Sequence, residues 1–194
     1  MPITKEFVQS VRGNLSKQPE IDFGLLAQSL NATETEVITA LPVAMRLKAR
    51  TTAFDAIWST LTQWESLGAV VFGKNKQPLP LKDGFALKLL KQGTLKLHAV
   101  GSECYFPHLR DSLANIWFIS QDTGRNMRYS VCFIDKAGDH LFSVFLDELE
   151  SGNPLSRQME DFLDMKKRFG VVPMPKNRCK GCKGCDCQAA NDNA

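Results

Sequence analysis

The feature that most constrains this chain is a change in the period of its apolar residues near Ala69. Before it, Phe54, Ile57, Trp58, Leu61 and Trp64 recur at spacings of three and four, as on one helix face, and Gly68 is placed to end that helix. After it, apolar and polar residues alternate, as in half-buried strands. The expected strands are 69–72, 85–90, 94–100, 113–120, 127–134 and 139–146. Their separators, Lys91-Gln92-Gly93 and residues 121–126 and 135–138, carry turn chemistry.

Earlier signals are also helical. Ile3 to Leu15 is weakly amphipathic, Asp22 caps a helix running through Leu30, and Thr33 followed by Glu36 has the capping-box spacing of a helix that Pro42 closes. The two short helices around Leu30-Asn31-Ala32 resemble a helix-turn-helix. At the other end, Asn153-Pro154 opens a helix with Leu155, Met159, Phe162, Leu163 and Phe169 on one face, and Gly170 stops it. The expected fold is α+β: a helical part over about 1–68, then a large meandering antiparallel sheet and a C-terminal helix over about 69–170. Residues 1–172 form one domain on this reading, and 173–194 a flexible cysteine-rich tail without a large apolar residue beyond Met174.

Composition narrows the class. The 194 residues are 43% apolar and 23% charged, which suits a globular domain rather than a disordered chain. Six cysteines do not make a disulfide scaffold in a chain this long, so a reduced, cytoplasmic protein is expected. Met1 to Ser10 lacks the apolar core of a secretion signal, and no apolar run approaches the ~20 residues of a membrane span. The net charge of +3 falls to +1 without the tail, too little to attract nucleic acid. The second helix of the helix-turn-helix, Thr33 to Leu41, carries Glu34 and Glu36 and no base to meet phosphates, which favours packing over DNA reading.

Conventional catalytic motifs are missing, and Asp122-Thr123-Gly124, although it matches the aspartic-protease triplet, is followed by Arg125 and reads as a hairpin turn. Two constellations remain. Alternation over residues 85–100 puts Lys88, Lys96 and His98 on one strand face, away from Leu87, Leu89, Leu95 and Leu97. Imidazole ligates iron and ammonium groups pair with carboxylates, so the face is either a ligand site or a solvated edge whose lysines block aggregation. The tail offers Cys179, Cys182, Cys185 and Cys187 within nine residues, either a zinc or iron site or incidental thiols.

Several loose motifs together resemble one family. Glu36-Val37-Ile38-Thr39-Ala40-Leu41-Pro42, Phe54-Asp55-Ala56-Ile57-Trp58 with Trp64, Gly84-Phe85 leading to Gly93, His98-Ala99-Val100-Gly101-Ser102-Glu103-Cys104 and Gly138 to Leu146 occur in the order found in the HutX and ChuX haem-utilisation carriers of bacteria. The resemblance spans about Phe23 to Phe169. It implies a homodimer in the cytosol that binds haem as cargo and passes it to a storage, delivery or haem-degrading partner, without a catalytic site of its own. It also implies that His98, six residues before Cys104, is the haem ligand. His108, Tyr105 and His140 are candidates for a second axial position, with five-coordinate haem as the other option. Two further readings stand beside the carrier: an enzyme that degrades haem or reduces its iron, and a metal-responsive regulator using the helix-turn-helix and the tail.

Overall fold

The computed structural model describes residues 3–64, 67–72, 78–81, 86–89, 95–99, 102–106, 109–146 and 156–171. The chain begins with three helices, α1 (Lys5–Lys17), α2 (Phe23–Ser29) and α3 (Glu34–Ala40). Each starts where the sequence offers an oxygen to an orphan N–H: Thr4, Asp22 and Thr33 accept from Phe7, Leu25 and Glu36. At α3 the capping box is complete, because the Glu36 carboxylate also accepts from Thr33 N at 2.9 Å. Asn31, between α2 and α3, turns the chain in the left-handed region at φ 50°.

Strand β1 (Arg46–Ala49) and helix α4 (Phe54–Leu61) follow. Then come β2 (Leu67–Phe72), β3 (Pro78–Leu81), β4 (Ala86–Leu89), β5 (Leu95–Ala99), β6 (Ser102–Phe106), the single turn α5 (Leu109–Ser112), β7 (Leu113–Asp122), β8 (Met127–Asp135), β9 (His140–Leu146) and α6 (Ser156–Phe169). The expected α+β class is therefore found. The strands divide into two antiparallel sheets, one of six in the order β1-β7-β8-β9-β2-β3 and one of three in the order β4-β5-β6.

Apolar residues on both faces of the larger sheet explain its layering. On β7, Ile116 and Phe118 enter one core while Trp117 and Ile119 enter the other; on β8, Val131 and Phe133 alternate with Cys132 and Ile134 in the same way. Helices α4 and α6 cover the first face and α1, α2 and α3 the second. Phe162 of α6 is fully buried against Phe118, ring to edge at 5.5 Å, and Phe133 stacks on Phe142 at 4.4 Å. Burying one such phenylalanine contributes about 1.5–3 kcal/mol.

Three sequence expectations need correction: the end of α4, the buried face of α6 and the number of strands. Gly68 does not end α4; the helix stops at Leu61, and Gly68 lies in β2 opposite Phe145. Trp64 nonetheless reaches the core, with its indole N–H donating to Asp161 at 3.0 Å. Leu163 is half exposed, and Gln158, Phe162 and Met165 are the buried positions among the described residues of α6. Strands β1, β3 and β6 were not expected. In β3 two prolines, Pro78 and Pro80, alternate with leucines, a pattern that is tolerated because the strand is at the end of the described sheet order.

Candidate functional site

The smaller sheet holds four of the six residues that the sequence offers for haem, Lys88, Lys96, His98 and Tyr105. Residue pairs directly opposite in an antiparallel ladder share a face, with Cβ atoms about 4.5–5.5 Å apart. The β4–β5 register pairs Ala86 with His98 and Lys88 with Lys96; the β5–β6 register pairs Lys96 with Tyr105 and His98 with Glu103. Lys88, Lys96, His98, Glu103 and Tyr105 therefore belong to one face. The opposite face is made by Leu87, Leu89, Leu95, Leu97, Cys104 and Phe106 positions. His108 and the tail cysteines Cys179, Cys182, Cys185 and Cys187 lie outside the described residues.

His140 belongs to the other sheet. It opens β9, and its buried ring faces α3: Nδ1 is 2.7 Å from both carboxylate oxygens of Glu34, and Nε2 is 3.2 Å from Ser143 Oγ. Both nitrogens are engaged inside the layer between α3 and the sheet, so the structure does not bring His140 to an open ligand position. The adjoining β8–β9 turn is close to α3 as well. Gly138 has φ +87°, its carbonyl accepts from Thr35 N at 3.2 Å, and a Cβ there would lie 3.1 Å from Thr33 Cβ.

The nearby Cys132 is not a nucleophile. Burial, reinforced by the negative charge of Glu34, pushes its thiol up to about 12, and Ser130 and Ser143 are its hydrogen-bonding neighbours. Asp122-Thr123-Gly124 forms the expected turn, with Gly124 N donating to Asp122 Oδ1 at 2.8 Å and Thr123 N to Asn126 O at 2.9 Å. In the helix-turn-helix pair, Val37, Ile38 and Ala40 of α3 are buried in the core on the second face of the larger sheet. Among the described residues, no group of three His, Cys, Asp or Glu side chains is arranged to hold a metal ion, and no helix is long and apolar enough to cross a membrane.

Alternation within one hairpin singles out His98 and its lysines, whereas Glu103 joins their face only through a third strand. The missing information was the register of β6, which the alternation of Glu103 and Tyr105 beyond Gly101 would have supplied. The Glu34–His140 contact joins residues 106 positions apart and leaves no local sign.

No family model matches the sequence, and no curated protein does. Solved structures do match. A protein from Erwinia carotovora superposes with a TM-score of 0.68 at 22% identity, over 82% of this chain and 98% of the other. The heme-binding protein ChuX superposes at 0.63 with 20% identity, over 81% of this chain and 97% of ChuX. The chain has the ChuX fold. ChuS, a heme degrading enzyme of Escherichia coli O157:H7, matches 84% of this chain at a TM-score of 0.56 and 16% identity, but over 47% of its own length, so one ChuX fold accounts for about half of ChuS.

Proposed function

We propose that this chain is a haem carrier: a cytoplasmic, homodimeric protein whose domain, residues 1–172, binds haem as cargo and hands it to a delivery or degrading partner. The observation that carries the reading is the register of β4, β5 and β6, in which Lys88 and Lys96 are paired directly and His98 and Tyr105 share their face. Haem needs three things from a site: a donor to iron, cations for two propionates and an apolar wall. His98 answers the first and the two lysines the second, with Tyr105 or His108 available to a second axial position. The fold match to ChuX, itself a heme-binding protein, supports the same ligand. The cysteine tail, 173–194, is a separate appendage, and Cys179, Cys182, Cys185 and Cys187 are its candidate zinc or iron ligands.

Anaerobic hemin titration of the purified protein, followed by reductant, tests the reading. A saturable Soret band that His98→Ala displaces and weakens, and that survives reduction and admission of oxygen, is the expected result. Loss of the band with release of iron under reductant would instead favour an enzyme like ChuS, and no saturable band would end the haem reading.

A further inference from the structure

The three strands of the smaller sheet contain fourteen residues and one carboxylate, Glu103. It stands directly opposite His98 across the β5–β6 ladder. We propose that Glu103 is a positioning residue that strengthens His98 as a donor to haem iron. The inference rests on the haem reading above and adds to it a residue that neither the sequence motifs nor the fold match assigns.

Two arguments support it. A ligating imidazole is a stronger donor when its second nitrogen has a carboxylate partner, which fixes the tautomer and raises the basicity of the ring. Directly opposed positions in an antiparallel pair are about 4.5–5.5 Å apart at Cβ, within reach of a glutamate and a histidine. The second argument is charge. A carboxylate on a face that receives two propionates opposes them by like-charge repulsion. Its position opposite the histidine, rather than opposite either lysine, gives that charge a use. The register pairs Lys96 with Tyr105 and Lys88 with Lys96, so the Glu103 position is diagonal to a lysine rather than opposite one.

The test uses full-length, haem-loaded protein and four variants: Glu103→Gln, Glu103→Asp, His98→Ala and the His98→Ala/Glu103→Gln double variant. The readouts are hemin stoichiometry, Soret position and the midpoint potential of the bound iron. Glu103→Gln is expected to bind one equivalent of hemin as the wild type does, and to move the potential positive, because a weaker donor stabilises the ferric state less. Glu103→Asp is expected to restore much of the wild-type value, and Glu103→Gln to add nothing when His98 is already alanine. An unchanged potential in Glu103→Gln, with His98→Ala clearly altered, would overturn the role of Glu103 and leave the haem site standing. The same shift in the His98→Ala background would overturn it too, since the effect would not pass through His98. If His98→Ala changes neither spectrum nor potential, His98 is not the ligand and the proposal fails with it.

Discussion

His140 Nδ1 sits 2.7 Å from both carboxylate oxygens of Glu34, and the pair joins the N-terminal helical layer to the six-stranded sheet. Both side chains are buried, with 7% and 4% of their surface exposed, so water does not stand in for a lost partner. Removing one partner of a buried pair strands the other, at a cost of about 3–5 kcal/mol, whereas replacing both with apolar groups costs far less. His140→Ala is therefore expected to lower the urea midpoint sharply, and Glu34→Leu combined with His140→Phe to recover most of the loss. Equal destabilisation by the single and double changes would mean that packing, not the stranded carboxylate, dominates.

The Cys132 thiol gives an alkaline signature. Its folded-state value, about 12, is above the ordinary 9.0, so between those values the folded protein holds a proton that the unfolded chain has released. Its contribution to stability is complete below pH 9 and declines as pH rises toward 12, by about 1.4 kcal/mol per pH unit. Other groups titrate there as well, so the informative quantity is the difference from Cys132→Ala, which lacks this slope. Parallel stability curves for the two proteins above pH 9 would count against the buried, protonated thiol.

Gly170 closes the fold at the junction of α6 and β1. The backbone around it is stitched by Arg50 N to Phe169 O at 3.2 Å and Val171 N to Lys48 O at 2.7 Å. A Cβ at Gly170 would run into the Leu47 side chain and lie 2.5 Å from the Lys166 carbonyl oxygen. Gly170→Ala should destabilise by about 1–3 kcal/mol through overpacking. Trimming Leu47 to alanine should cost less in that variant than in the wild type, as a thermal-denaturation cycle would reveal; strict additivity would exclude the clash.

Much of this was legible in the sequence because local chemistry determines it. The Thr33–Glu36 capping box, the Asp22 cap and the Asp122-Thr123-Gly124 turn each depend on residues within four positions, and all three form. The face shared by Lys88, Lys96 and His98 followed from alternation alone, and the ladder preserves it. What was not legible depends on pairing at a distance. Arg46 to Ala49 is too short to announce a strand and becomes one by aligning with Ile116 to Ile119 of β7. Gly68 punctuates a helix by its residue type, but the partner opposite it, Phe145, makes it part of a sheet. His140 shows the same limit at the candidate site, since a histidine beside a glycine turn gives no hint of a carboxylate on α3.

Truncation after Val172 tests the proposed boundary between domain and tail. Residues beyond that point include no large apolar side chain other than Met174, so the shortened protein is expected to keep its melting temperature and oligomeric state. A large fall in melting temperature of metal-free protein would join the tail to the folded unit. Metal analysis of the full chain, with Cys179→Ser/Cys182→Ser as control, would detect zinc or iron held there.

Lys88 and Lys96 offer a prediction in which stability and binding move in opposite directions. The register sets them directly opposite each other, and like charges in that position destabilise a ladder by a few tenths of a kcal/mol to about 1 kcal/mol. Replacing either with alanine removes that repulsion, so the apo protein should melt at the same temperature or slightly higher. If the pair meets haem propionates, the same substitution should weaken hemin binding. Each exposed charge pair is worth about 0–1 kcal/mol, so the loss should be below tenfold, shrink as salt rises and leave the Soret position unchanged. His98→Ala differs on each count, since it alters the spectrum and its effect does not depend on salt. A lysine variant that moved the Soret band would place that lysine's influence at the iron, and one that bound hemin as the wild type does at low salt would remove it from the propionate site.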